Sequence, residues 1–222
     1  MSSAPLVQYR IASEGIPLPP IDAGLYEYIL AGNGLFVRAQ RRELSVLLPV
    51  ASFDARGLVA LEAHVELRVP RVPESVLLSC LEQARRARDH HGFLIESLFH
   101  LWVDEMSHWH MEMPQQMQRA ASVRPLDDSL SSSYAHALLE LHSHAELETQ
   151  FSSADDDDEM GFRLYAVVGH VAKLPKLKVR VGLYGYRWGI PAREIFDLPD
   201  EIYDAKAIEE ATDLRWLRCK AT

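Results

Sequence analysis

The sequence predicts an α/β protein, a strand–helix–strand core preceded by a small β-rich extension, and three observations predict it. Residues 1–72 carry short apolar patches broken by turn residues. After Pro73 the apolar side chains switch to helical spacing, and beyond Gly92 they return to compact runs of strand length. With 222 residues, 48% of them hydrophobic and 25% charged, the chain can bury a core. It divides into an extension, residues 1–72, and a main domain, residues 73–222.

In the extension, Gly32-Asn33-Gly34 is a turn leading into Leu35-Phe36-Val37, and Glu43 to Val50 is a strand closed by Pro49. In the main domain, Val76, Leu77, Cys80, Leu81, Ala84 and Ala87 line one face of a helix from Ser75 to His91, while Glu82, Arg85, Arg86 and Arg88 take the other. Pro73 and Glu74 suit its start, and Gly92 ends it. Phe93 to Val103 reads as one strand, or two meeting near Glu96-Ser97, and His108 to Met113 as another. Val123 to Ser133, rich in Ser, Asp and Pro, reads as a surface loop or a short helix. Ala137 to Leu141 has Glu140 as its one charge, the pattern of a strand buried on most of its surface. Phe162 to Val171 and Lys176 to Trp188 follow as two strands, with Lys176, Lys178 and Arg180 of the second facing away from Leu177, Val179 and Val181. A helix over Asp204 to Thr212 comes last.

Composition excludes several functions. Lys and Arg number 23 against 32 Asp and Glu, a net charge of −9 that repels a phosphate backbone, so no nucleic-acid partner is expected. Apolar runs such as Leu44 to Val50 fall far short of the roughly 20 residues that cross a bilayer. Met1-Ser2-Ser3-Ala4-Pro5 has neither a basic flank nor an apolar stretch of signal-peptide length behind it. Cys80 and Cys219 are too few for a disulfide framework in a chain this long. A cytoplasmic protein is the expectation.

The chemistry-bearing residues follow the apolar run at Ala137 to Leu141. His142 and His144 lie two apart, so on a strand both imidazoles project from one face and can share a cation. After ten intervening residues Asp155 can bring back an oxygen ligand, and two His with one carboxylate leave a zinc position open for water. Ser152, three before Asp155, equally makes the pair a helix capping box. The acidic residues Asp156, Asp157, Asp158 and Glu159 read as a solvated helix start, where the dipole favours negative charge. His108 and His110 form a second H-x-H without a following ligand-like carboxylate, and read as structural.

Taken together, apolar strand, His142-Ser143-His144, ten residues, Asp155 and Ser152 resemble the JAB/MPN (JAMM motif) zinc metalloprotease family, whose signature is H-x-H-x10-D ending in S-x-x-D. The resemblance implies a deaminase-like mixed sheet flanked by helices over roughly residues 74–198. It implies zinc held by His142, His144 and Asp155, with Ser152 hydrogen-bonding the oxyanion. The family places a Glu three before a Gly that opens an apolar strand at a helix end; here Gly92-Phe93-Leu94-Ile95 is present, with Asp89 in the Glu position. Asp89 is therefore the expected base, with Glu96 or Glu82 as alternatives. The family's usual Pro after the second His is Ala145 here. The whole layout is similar to the protein A family of bacterial PRTRC cassettes. That similarity implies a ThiF-like adenylating enzyme and a ubiquitin-like small protein as partners, and cleavage of a peptide or isopeptide bond at the tail of the latter. A non-catalytic JAB scaffold is the alternative.

Overall fold

A computed structural model of the chain describes residues 4–144 and 149–206. The chain separates into two compact units, Met1–Val69 and Pro70–Thr222. Val72 belongs to the second because its N–H donates to the Ile195 carbonyl at 2.8 Å and its carbonyl accepts from Asp197 N–H at 2.9 Å.

The first unit is a five-stranded sheet in sequence order: β1 (Val7–Ile11), β2 (Tyr26–Ala31), β3 (Gly34–Gln40), β4 (Leu44–Ser52) and β5 (His64–Leu67). β1 and β2 are parallel and the other pairs antiparallel. Glu27, Ile29 and Ala31 alternate inward along β2, where Ile29 and Ala31 pack with Ala12, Phe36 and Leu47. The Glu27 carboxylate is fully buried and is held by Arg38 Nε at 2.7 Å and Arg10 Nη2 at 3.2 Å. Pro49 does not close β4, contrary to expectation. The register slips between Leu35 and Phe36, which face Ala51 and Pro49. A bulge of this kind is one of the few places where a sheet accommodates proline, and the strand runs on to Ser52.

The second unit begins with α1 (Glu74–Arg86) and continues through β6 (Leu98–Val103), β7 (Trp109–Glu112), β8 (Gln116–Arg119), β9 (Ser122–Pro125), α2 (Ser133–His136), β10 (Leu139–Ser143), α3 (Ser153–Asp158), β11 (Arg163–Gly169), β12 (Lys176–Leu183), β13 (Tyr186–Ile190) and β14 (Tyr203–Asp204). Its main sheet runs β13-β12-β11-β10-β6-β7, with β14 beside β12, and β8-β9 form a separate hairpin. β10–β11 and the short β12–β14 pair are parallel and the other neighbours antiparallel, so the fold is mixed α/β with a mixed sheet and few helices. α1 buries Leu77, Cys80, Leu81 and Ala84, the face that its spacing predicts. β11 is buried along its whole length, as a central strand covered on both faces must be. Among the described residues no helix is long and apolar enough to cross a membrane.

Four expectations are corrected. The helix stops at Arg86 instead of reaching His91, because Arg88 and Leu94 pair across a tight turn. Asp89 N–H donates to the Phe93 carbonyl at 2.9 Å and Gly92 stands at φ +86° inside that turn. Phe93 to Val103 contributes strand only from Leu98. Val123 to Pro125 belongs to β9 instead of a loop. Lys176 to Trp188 is a hairpin, broken by Tyr184 and Gly185, both at positive φ as a two-residue hairpin turn requires. The expected helix over Asp204 to Thr212 lies outside the described residues from position 207 on, as do Trp216 and Cys219.

Candidate metal centre

The site sits at the carboxyl end of β10, where the sheet changes from antiparallel pairing with β6 to parallel pairing with β11. His142 is the last residue of β10 paired to β6, opposite Leu98. The pairing continues as Ser143 N–H donates to the Ser97 carbonyl at 2.9 Å and Ser97 N–H to Ser143 Oγ at 3.0 Å. His144 N–H donates to the Val168 carbonyl on the other side at 2.8 Å. The alternation of a strand then puts both rings on one face, and their Nε2 atoms are 3.3 Å apart.

Asp155 arrives from α3. Ser152 caps that helix, accepting from Asp155 N–H at 3.2 Å, while Asp155 Oδ2 accepts from Ser152 N–H at 2.6 Å and Ser152 Oγ at 2.8 Å. The other oxygen, Oδ1, faces His142 Nε2 at 3.6 Å. Cap and ligand are thus not competing readings, because the two roles fall on different oxygens. Among the described residues, His142, His144 and Asp155 are the group whose ligand atoms converge, all within 4.8 Å of one another, and they could hold a metal ion. Tetrahedral zinc with ligands about 2.0–2.1 Å away separates neighbouring donors by about 3.3 Å, so the spacing fits.

The fourth member is Glu96. Continuing the antiparallel register by two residues from the His142–Leu98 pair sets Glu96 opposite His144, and its Oε1 is 3.8 Å from His144 Nε2. It is only 3% exposed. The β8–β9 hairpin fixes its backbone: Glu96 N–H donates to the Arg119 carbonyl at 3.0 Å and the Gln118 amide donates to the Glu96 carbonyl at 2.7 Å. Burial, with Asp155 nearby, pushes its carboxyl up to about 8. Asp89 is not brought to this group. Its Oδ1 accepts from His91 N–H and Phe93 N–H, each at 2.9 Å, in an exposed Asx turn. Desolvation raises its pKa, but these two N–H groups, with His91 and His90 beside them, together outweigh it and hold the pKa below the ordinary value. Glu82 is engaged with Arg86 on the exposed face of α1.

The acidic stretch after Asp155 is solvated only in part, with Asp157 and Asp158 exposed and Asp156 and Glu159 drawn inward. Glu159 is buried and accepts from Arg180 Nε at 2.7 Å, Asp156 accepts from Arg180 Nη1 at 2.6 Å, and Asp158 pairs with Arg124 at 2.8 Å. Arg180, expected among outward-facing cations, is only 8% exposed because α3 covers it. At the end of β11, Gly169 passes so close to Thr149 that a Cβ would lie 2.4 Å from the threonine hydroxyl oxygen, so only glycine fits there. A cleft of about 240 Å³ opens beside His142 and Asp155, walled by Leu98, Val123, Pro125, Tyr134 and Tyr165. Arg180 carries no spacing signal and is found only once the strand pairing is known; Glu96, an alternative from sequence, is singled out over Asp89 and Glu82 by that same pairing. Ala145 lies outside the described residues. His108 and His110 both face Asp104 in the exposed β6–β7 turn, at 3.6 and 2.9 Å. His90 and His91 lie against each other beside Asp89.

Buried charge sets a pH dependence. Burial pushes His142 down to about 4, with Asp155 partly opposing and His144 and Arg180 adding. Burial and Arg163 do the same to His100, also to about 4. Each is neutral in the folded chain where the unfolded one takes up a proton near 6.5, so stability falls as pH drops from about 6.5 toward 4. Glu96, raised to about 8 mainly by burial, runs the other way and loses stability as pH rises from 4.5 to 8, and burial raises Glu159 in the same direction against the pull of Arg180. The protein in chelator is therefore expected to be most stable between about pH 5 and 6. Urea unfolding across pH 4 to 8 measures this, and a monotonic profile over that range contradicts it.

No protein-family model matches the chain, and no curated protein matches it.

Proposed function

We propose that this chain is a zinc-dependent hydrolase of the JAB/JAMM type, with a JAB/MPN-like main domain, cleaving a peptide or isopeptide bond at the tail of a ubiquitin-like protein. The observation that carries the reading is the meeting of His142, His144 and Asp155 with a buried carboxylate, Glu96, opposite His144. The reading places the chain in the cytoplasm, in a PRTRC-like cassette beside a ThiF-like adenylating partner.

His142 Nε2, His144 Nε2 and Asp155 Oδ1 would hold the metal. When bound, zinc supplies Lewis acidity that brings a coordinated water toward a pKa of about 7. Glu96, not Asp89, is the group placed to take the proton of the attacking water on a carboxylate oxygen and pass it to the departing amine nitrogen. Ser152 can turn its hydroxyl toward the developing oxyanion, since its backbone N–H continues to hold Asp155 Oδ2 at 2.6 Å. Phe151 meets the His142 ring edge-on, and Leu98 stands opposite His142 on β6.

The test has two parts. Protein purified without chelator should hold about one zinc per chain, consistent with one open site, and lose it when His142 and Asp155 are both replaced by Ala. The same protein should release the tail extension from a ubiquitin-like fusion, read by mass spectrometry. Metal content unaffected by the double replacement removes the centre from this site; tight binding of the fusion without cleavage replaces the hydrolase with a scaffold.

A further inference from the structure

Arg180 lies on β12, away from the H-x-H strand, yet it touches both arms of the candidate centre. Its guanidinium lies 3.8 Å over the Phe151 ring, and Phe151 meets the His142 ring edge-on with centroids 6.2 Å apart. The same guanidinium donates to Glu159 at 2.7 Å and to Asp156 at 2.6 Å. Asp156 follows Asp155 directly in α3, and Glu159 caps the helix at its other end by donating its N–H to the Asp155 carbonyl at 2.9 Å. A helix of six residues has little stability of its own, so its place depends on what grips it.

We infer that Arg180 is a positioning residue: by stacking on Phe151 and bridging Asp156 to Glu159 it sets the Asp155 carboxylate against His142. The inference rests on the reading of His142, His144 and Asp155 as a metal centre. Planarity matters as much as charge here, since one flat fork stacks on a ring while reaching two carboxylates, which an ammonium cannot do. Arg187 also grips α3, through the Asp156 carbonyl, and so holds the helix without reaching Phe151.

The full chain tests this through metal affinity, measured by chelator competition for zinc and by the visible absorption of bound Co²⁺. Arg180→Gln should weaken binding by about 10–100-fold and alter the Co²⁺ bands, the scale on which groups behind a ligand act. Because Arg180→Gln leaves Glu159 buried without its cation, Arg180→Gln with Glu159→Gln is made alongside it, and circular dichroism reports which variants fold. Arg180→Lys keeps a cation against Glu159 and should recover part of the affinity. In an Asp155→Asn background the Arg180 change should cost nothing more, because there is no carboxylate left to place. Parental affinity in whichever of these variants folds, or an undiminished further loss in the Asp155→Asn background, overturns the inference. Failure of the parent itself to take up zinc or Co²⁺ overturns the metal centre instead.

Discussion

Glu96→Gln is expected to retain zinc and to lower cleavage of a ubiquitin-like tail by about 10²–10⁴-fold, the usual contribution of a positioned proton carrier. Glutamine keeps the shape and the buried position but cannot accept a proton. Asp89→Asn, by contrast, should leave turnover unchanged, because the asparagine oxygen can still accept from His91 N–H and Phe93 N–H in the turn. Asp89→Glu should bring no gain, since a longer acid in an exposed turn is not thereby delivered to His144. Single-turnover cleavage and zinc content, measured on the same preparations, decide between the two carboxylates. If Asp89→Asn abolishes cleavage with zinc retained while Glu96→Gln does not, the proton carrier is Asp89 and the register argument fails.

Why the sequence points to Asp89 is instructive. Ala87 continues the helical spacing one residue past the end of α1, and with Gly92 as the next breaker the helix reads on to His91. The competing signal is turn chemistry: an Asp followed three residues later by Gly is an Asx-turn pattern, and the Arg88–Leu94 bridge shows that it wins. Glu96 is visible in the sequence only as a carboxylate in an apolar stretch. Its role depends on antiparallel pairing between segments more than forty residues apart, which local periodicity does not encode. His142, His144 and Asp155 were legible because strand alternation and a capping box are local rules. Both operate within a few residues of the side chains they place.

The same division holds for the rest of the fold. α1, β10 and β11 have strong patterns and are read correctly in kind. The β8–β9 hairpin, which fixes Glu96, consists of two four-residue strands with little apolar alternation, so nothing in its composition marks it as strand. The acidic run departs in part from a solvated helix start, at Asp156 and Glu159, for a related reason. Its partners Arg124, Arg180 and Arg187 come from β9, β12 and β13, and a charge run shows its solvation only when those neighbours are in place.

Asp155→Ala and Ser152→Ala are expected to separate the two tasks of one carboxylate. In chelator, each should lose about 1 kcal/mol of unfolding free energy, since each removes a side of the capping box at the start of α3. With free zinc at about 100 times its dissociation constant, the parent should gain about 2.7 kcal/mol by mass action. Ser152→Ala should keep most of that gain, because Ser152 N–H still holds Asp155 Oδ2 at 2.6 Å and Oδ1 still faces His142. Asp155→Ala should forfeit most of it, having lost the ligand oxygen as well as the cap. Urea unfolding of the parent and both variants, with and without zinc, measures all of these differences. Were Asp155 no more than a cap, the two variants would respond to zinc alike. A shared response would therefore leave His142 and His144 without their third ligand, and the open zinc site with only two protein donors.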